Sequence, residues 1–319
     1  MSVEDILKTV RRKFSDDSIF MLDDFADSPV DVISTGLLDI DWKSGKNGIA
    51  RGRVTEIYGA EATGKSTLCS SIIAQAQKQD ILCAYIDTEQ SMDFEFASKI
   101  GVQPDKLLLS QPDHLEGAFG VAEALIESGE VGLLVFDSYV GVGTQKEFEE
   151  DDFGKANYGG SKLNYQWFRR NMSTIRKNNV AVVFTNQVRD LIGAYMPSLT
   201  TPGGHALKHH ASMRIQTSRV KDIKVGEDII GVEFKAVFKK NKLAPPFKTA
   251  AFEIYFDRGI WPESDVLTVA LANGVLEQAG AYYRYLGETL GQGKISTIKY
   301  LQEHPEACLE IRDKVLQCQ

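Results

Sequence analysis

Residues 59 to 67 read Gly-Ala-Glu-Ala-Thr-Gly-Lys-Ser-Thr and follow directly on the apolar stretch Val54 to Tyr58. This is a G-x-x-x-x-G-K-S/T phosphate loop placed where a strand should end, and Leu68, Ile72, Ile73 and Ala76 recur behind it at helical spacing. Strand, loop and helix in that order restrict the chain to an α/β architecture that binds a nucleotide. Gly59 and Gly64 let the backbone curl around an anion, so that loop amides and the start of the helix point at phosphates. Lys65 then neutralises the β and γ phosphates, and Ser66 ligates Mg²⁺.

At 319 residues the chain is long enough for one large α/β domain with appendages, or for two domains. No apolar run approaches the ~20 residues that span a bilayer, and the charged start lacks a signal-peptide segment. A cytoplasmic protein without a membrane partner is expected. The four cysteines, Cys69, Cys83, Cys308 and Cys318, contain no C-x-x-C pair, which points to reduced structural thiols.

The net charge of −8 argues against a simple electrostatic grip on nucleic acid. It conceals an asymmetry. Residues 1 to 40 hold nine Asp/Glu against four Lys/Arg, whereas residues 208 to 248 hold ten Lys/Arg against four Asp/Glu. One edge of an acidic molecule is therefore basic, as a functional surface or as a solvated strand pair.

Ser2 and Asp5 form a helix-capping pattern ahead of Val3, Ile6, Leu7, Val10 and Phe14, which share one helical stripe. An acidic segment, Ser15 to Pro29, separates this helix from the rest, so its stripe docks either on its own core or on another molecule. Strand-like runs then alternate with helical ones: Val54 to Tyr58, Leu82 to Ile86, Leu107 to Leu109, Leu133 to Phe136 and Val180 to Phe184. Such alternation predicts a mostly parallel sheet with nucleotide at the carboxyl ends of its strands. The runs Ala211 to Ser218, Val232 to Phe238 and Ala250 to Phe256 lack intervening helices and predict an antiparallel extension. After Pro262 the pattern changes to a small helical unit with a Gly-punctuated aromatic segment, Ala281 to Gly293.

Leu133 to Asp137 is an apolar strand ending in an acid, the place where a phosphate-loop ATPase positions Mg²⁺; Asp137 is the candidate, with helix capping by Asp137 or Ser138 as the alternative. Leu82 to Asp87 leads to Thr88 and Glu89 on the same rim, and a carboxylate there can take a proton from water. Val180 to Thr185 leads to Asn186, Gln187, Val188 and Arg189, where Gln187 can sense a γ-phosphate. Two long Gly-punctuated loops, 141–160 and 189–204, follow rim positions. No N-K-x-D guanine motif, L-S-G-G-Q transporter segment or kinase H-R-D and D-F-G pair occurs.

With these positions laid out, the chain resembles the bacterial RecA family of strand-exchange recombinases over nearly its whole length. The resemblance rests on Ile33-Ser34-Thr35-Gly36, Glu56-Ile57-Tyr58-Gly59, Tyr85-Ile86-Asp87-Thr88-Glu89, Ser110-Gln111-Pro112-Asp113, Asn186-Gln187-Val188-Arg189, Gly203-Gly204-His205-Ala206-Leu207-Lys208, Lys240-Asn241-Lys242 and Ala244-Pro245-Pro246-Phe247-Lys248. It implies an N-terminal polymerisation helix and linker (1–32), a RecA-type ATPase core (33–261) and a small C-terminal α/β domain (262–319). It further implies ATP and Mg²⁺ as ligands, with Gly59, Ala60, Glu61, Ala62, Thr63, Gly64, Lys65, Ser66 and Thr67 around the phosphates and Asp93 and Phe96 at the adenine.

By the same resemblance Glu89 is the general base and Gln187 the switch to a DNA-binding loop. Lys240 and Lys242 are implied to reach the ATP site of a neighbouring subunit. Loops 141–160 and 189–204 are implied to face single-stranded and duplex DNA inside a helical filament, with Arg189, Tyr195, Gly203 and Gly204 as contacts; partners of the single-strand-binding and loader kinds follow. The chain departs from the family in several places. Glu147, Glu149, Glu150, Asp151 and Asp152 make the first loop acidic, Tyr195-Met196 replaces a Met-Phe pair, and His209-His210 replaces an interface aromatic. The chain also stops without the acidic tail common in bacterial members, as a compact phage-encoded member would. A ring-forming helicase and an ATP-gated filament scaffold that activates repressor cleavage are the rival readings.

Overall fold

The computed structural model describes residues 2–15, 18–21, 30–149, 159–190 and 199–317. The chain divides into two units, residues 1–31 and residues 32–319. The first unit is built on helix α1 (Val3–Lys13). Its start is a reciprocal cap: Asp5 N donates to Ser2 Oγ at 3.2 Å, and Ser2 N donates to the Asp5 carboxylate at 2.9 Å. Arg11, Arg12 and Lys13 end the helix where its dipole favours cations. Val3, Ile6 and Phe14 are exposed.

The second unit opens with β1 (Val32–Ile33), helix α2 (Leu38–Ser44) and β2 (Ile49–Ala50), which pairs antiparallel with β1. The α/β core continues through β3 (Val54–Gly59), α3 (Lys65–Gln77), β4 (Leu82–Asp87), α4 (Phe94–Ile100), β5 (Leu107–Ser110), α5 (Leu115–Ser128) and β6 (Val131–Asp137). Then come α6 (Gln145–Glu149), α7 (Gly159–Lys177), β7 (Ala181–Gln187), the short strands β8 (Arg189–Asp190) and β9 (Leu199–Thr200), and α8 (Ala206–His210). Strands β10 (Met213–Val225), β11 (Asp228–Asn241) and β12 (Thr249–Tyr255) complete the main sheet.

That sheet has eight strands in the order β12-β11-β10-β3-β7-β6-β4-β5. Neighbours from β10 to β5 pair in parallel, and β11 pairs antiparallel with both β10 and β12. Helices cover both faces, so β3 and β6 are buried along their whole length; β6 is apolar up to Asp137, while β3 also buries Thr55 and Glu56. One core cluster packs α3 and α4 on one face, with Ile57, Leu68, Ile72, Val135 and Phe252; the other packs α5, α7 and α8, with Phe136, Phe168 and Phe184.

The expected antiparallel extension forms, but β10 and β11 are longer than their apolar runs. Residues 219–231 form an arm on which Arg219, Lys221, Lys224 and Val225 are exposed, so burial leaves no alternation to read there. The unit after Pro262 is α/β, as the family resemblance implies, where local periodicity alone suggests helices. Helices α9 (Pro262–Ala272), α10 (Lys294–Glu303) and α11 (Pro305–Gln317) enclose a three-stranded antiparallel sheet of β13 (Glu277–Ala279), β14 (Tyr282–Tyr285) and β15 (Glu288–Gln292). Tyr283 and Tyr285 face inward while Tyr282 and Arg284 face out, and Gly280 and Gly287 turn the chain at φ 60° and 89°. No helix among the described residues is long and apolar enough to cross a membrane.

Candidate functional site

Strand β3 delivers Gly59 to the rim, where a β-carbon would stand 2.4 Å from the carbonyl oxygen of Thr217. Only glycine lets the loop leave between β3 and β10. Thr63 Oγ1 lies 2.9 Å from Thr217 Oγ1 and donates to Ala60 O at 2.8 Å, tying the loop to β10 and to itself. Gly64 then takes φ 78°, and helix α3 starts without a side-chain cap. Its first amides are left for an anion. Lys65 Nζ donates to the carbonyls of Ala60 at 2.7 Å and Gly59 at 3.3 Å. Burial draws the Lys65 ammonium below its ordinary pKa, opposed by the carboxylates of Asp137 and Glu89.

Asp137 ends β6 one strand beyond β7, and its carboxylate is a hub of hydroxyls. Ser66 Oγ donates to it at 2.7 Å, Tyr85 Oη at 2.6 Å, and Thr185 Oγ1 donates to its other oxygen. Burial, and then Asp137, hold the Tyr85 hydroxyl protonated far above the usual tyrosine range. Ser66 and Asp137 thus offer two hard oxygen donors side by side. No group of three or more His, Cys, Asp or Glu side chains among the described residues is arranged to hold a metal. This donor set suits Mg²⁺, which is commonly held by one or two protein oxygens and completes its shell with water and substrate phosphate.

Glu89, two residues beyond β4, is held by Ser138 Oγ, which donates to its Oε1 at 2.6 Å, and by Gln187 Nε2 at 3.3 Å. Ser138 is itself fixed, because Ser138 N donates to Thr88 Oγ1 at 2.9 Å and Thr88 Oγ1 donates to Ser138 O at 2.7 Å. The carboxylate rim of β4 and that of β6 are therefore clamped together. Gly141, where the first loop begins, is pressed on this clamp: a β-carbon there would stand 2.2 Å from Thr88 Oγ1 and 3.0 Å from Glu89 Cγ. Asp93 caps α4 by accepting from Phe96 N at 2.9 Å, and both line a cavity of about 110 Å³ with Ser66, Thr67, Tyr85 and Met92.

The second loop is rooted in the core. β8 pairs antiparallel with β9, and Arg189 stands opposite Thr200. Lys208 Nζ donates to Thr200 Oγ1 at 2.8 Å, and Asn164 Nδ2 to Gly203 O at 3.1 Å. Asn186 Nδ2 donates to the buried Glu56 at 3.0 Å and to Pro202 O at 3.3 Å, while Arg214 pairs with Glu56 and lies 4.6 Å above the Tyr58 ring. Gly203 and Gly204 adopt φ 87° and 78°, and the Gly203 backbone lies against the Tyr139 ring. Tyr195 lies outside the described residues.

Lys240 and Lys242 are not brought to the phosphate loop. Asn241 stands opposite Met213, which stands opposite Thr55, whereas Gly59 stands opposite Thr217. Four residues of strand, or about 13 Å, separate the two levels, and two strand spacings separate them sideways. Lys240 Nζ instead donates to the carbonyls of Lys208 at 2.7 Å and His209 at 3.1 Å; Lys242 is exposed. Burial, then Lys242 and Arg214, lower the Lys240 pKa. His210 stacks on Phe168 with ring centroids 5.0 Å apart and serves as an aromatic core partner, while His209 is exposed. In the first loop the carboxylate of Glu147 accepts from Thr144 N at 2.6 Å, so one of its acids works as a helix cap.

Sequence reasoning named Glu89, Gln187, Asp137 and the phosphate loop, but gave no role to Tyr85, Thr88, Thr185 or the Ser138 contact with Glu89. The adjacency of Ser138 to Asp137 was the available signal.

The RecA N-terminal domain family matches residues 1–261 and the RecA C-terminal domain family matches residues 264–318. Protein RecA of Thermus aquaticus is 43% identical over 319 residues, covering 99% of this chain and 94% of that protein. Protein RecA of Syntrophus aciditrophicus is 41% identical over 322 residues, covering 98% and 92%, and that of Acinetobacter baylyi is 39% identical over 307 residues, covering 96% and 88%. On matches that span nearly its whole length, the chain belongs to the RecA family of ATP- and Mg²⁺-dependent DNA recombinases.

Proposed function

We propose that Glu89 is the general base of ATP hydrolysis and Gln187 the element that couples its state to DNA. The carrying observation is that Gln187 touches Glu89 at 3.3 Å while its strand runs on into Arg189, at the root of the second loop. A side chain so placed reports on the γ-phosphate position and moves the loop that follows. Glu89 takes a proton from the attacking water, and Ser138 keeps its carboxylate aimed. Lys65 leaves the Gly59 and Ala60 carbonyls to meet the phosphates, and the uncapped amides of α3 hold them in place. Mg²⁺, when bound by Ser66 and Asp137, offsets phosphate charge. Asp93 and Phe96 receive the adenine.

Lys240 and Lys242, out of reach of their own loop, complete the site of the next subunit in a head-to-tail filament. The N-terminal segment 1–32 serves subunit packing, with the exposed stripe of α1 against that neighbour, 33–261 as ATPase core and 262–319 as a separate small domain. Arg189, Tyr195, Gly203 and Gly204 hold single-stranded DNA by its backbone, leaving bases free for pairing with a duplex. The setting is cytoplasmic, with single-strand-binding and loader proteins as partners.

ATP turnover measured with and without single-stranded DNA, paired with imaging, tests this reading. Strong stimulation together with helical filaments is expected; closed rings, or turnover indifferent to DNA, would sink it. Ser138→Ala is expected to lower DNA-stimulated kcat about ten-fold, equivalent to ~1.4 kcal/mol of barrier, with nucleotide KM nearly unchanged. Ser138→Thr, which keeps a hydroxyl, should recover part of the loss. A kcat within two-fold of wild type for Ser138→Ala would show that Glu89 is aimed by something else.

A further inference from the structure

Leu37 and Leu38 are neighbours in the chain but belong to different cores. Leu37 packs with Ile33 and Ile40 in the cluster of helix α3, whereas Leu38 packs with Val266, Leu267 and Ile298 of the C-terminal unit. The segment Ser34-Thr35-Gly36 leads into them and touches α3, the helix that begins with Lys65 and Ser66. Ser71 Oγ, on that helix, donates to Thr35 O at 2.7 Å. Gly36 takes φ 78°, and a β-carbon there would stand 2.5 Å from Ser71 Oγ, so the backbone is pressed on α3. Thr35 is fixed in turn by Asp41, whose carboxylate accepts from Thr35 N and Thr35 Oγ1, each at 2.8 Å.

The other end of the segment is held from the C-terminal unit. Helix α2 receives no cap from its own N-cap side chain, because that residue is Leu37. Asp265, in the first turn of α9 and 227 positions away, supplies one: its carboxylate accepts from Leu38 N. Burial raises the pKa of the Asp265 carboxyl well above its ordinary value, opposed by the Leu38 amide and reinforced by Asp39, Asp41 and Glu253. Two hydrogen bonds, Leu38 to Asp265 and Ser71 to Thr35, thus join α9 to α3 through a short piece of backbone. From Ser71 to Lys65 is about 9 Å of helix. A cavity of about 270 Å³ lies beside this joint, with Ser34, Gly36, Gln75, Asp265 and Arg312 in its walls, and gives α9 room to shift against α3.

We propose that Asp265 and Ser71 are positioning residues of the ATP site, and that the backbone between them lets the C-terminal unit set how α3 presents Lys65 and Ser66 to a nucleotide. This rests on the ATP-binding reading of the phosphate loop and adds a remote control of its affinity. With both hydrogen bonds made, α3 is held in place beside Asp137 before ATP arrives. With either one broken, ATP must order the helix as it binds. Once bound, the nucleotide fixes the geometry itself, so affinity changes and the chemical step does not.

The test measures affinity for a fluorescent ATP analogue, DNA-stimulated kcat at saturating ATP, and melting temperature. Asp265→Ala and Ser71→Ala should each weaken binding about three- to ten-fold, with kcat within about two-fold of wild type. The double variant should bind about as well as the weaker-binding single variant, because both changes cut the same path. Asp265→Asn keeps an oxygen acceptor for Leu38 N and should bind within about two-fold of wild type. Val315→Ala, in the C-terminal core but off the path, should melt lower and leave affinity unchanged. Unchanged affinity in both single variants, losses that multiply in the double variant, no recovery in Asp265→Asn, or an equal loss in Val315→Ala would overturn the relay while leaving the ATP-binding reading in place. Failure of wild type to bind the analogue would remove both.

Discussion

Lys65→Ala is expected to reduce ATP turnover by on the order of 10²–10³, the scale on which loss of one preorganised charge partner is felt in a transition state. Two effects combine in this one side chain. Its ammonium fastens the loop by donating to the Gly59 and Ala60 carbonyls, and it is the cation closest to where the β and γ phosphates must lie. Burial disfavours its charged form, and the carboxylates of Asp137 and Glu89 oppose that effect. The melting temperature should therefore stay within a few degrees of wild type while turnover collapses. Parallel measurements of a fluorescent ATP analogue and phosphate release would check it. Retention of more than half the wild-type rate would contradict the assignment.

Lys242→Ala is expected to cost about as much in DNA-stimulated turnover, about 10², yet to leave ATP binding by dispersed subunits intact. Lys242 is exposed and far from its own phosphate loop in strand register, so its loss removes little from the folded monomer. Lys240→Ala is a less clean probe, because Lys240 also satisfies the last carbonyls of α8 at Lys208 and His209. The sharper measurement mixes Lys65→Ala with Lys242→Ala. The first supplies intact lysines and the second intact loops, so about one interface in four should be complete in a randomly ordered head-to-tail assembly. Turnover by the mixture well above either variant alone is expected; a mixture no better than its parts would show that the lysines act within one chain.

What the sequence made legible was local. The phosphate loop is nine contiguous residues, and Leu133 to Asp137 carries its acid at its own end, so both could be read without knowing which strands adjoin. The capping pair Ser2 and Asp5 was readable for the same reason. The hydroxyls around Asp137 were not, because Ser66, Tyr85 and Thr185 meet only through the sheet order β3-β7-β6-β4. The same holds for Glu56, whose partners Asn186 and Arg214 are 130 and 158 positions away. The strands after Pro262 escaped for another reason. β13 to β15 hold three to five residues each, too few for a period to emerge from Tyr282-Tyr283-Arg284-Tyr285. The acids of the first loop looked hostile to DNA as a count of charges, and only geometry shows Glu147 spent on a cap.

The separation of loop and lysines along β3, β10 and β11 makes the two ends of an assembly chemically unequal. Under the proposed pairing, a row of n subunits contains n − 1 complete sites. One terminal chain has lysines facing solvent and the other has a phosphate loop without its complement. The latter chain binds ATP but splits it about 10²-fold more slowly than an interior one. Every row would thus carry a terminal subunit that stays longer in its ATP-bound form, while interior subunits age with each hydrolytic cycle. Growth and loss would then proceed from different ends, without any further protein to tell the ends apart.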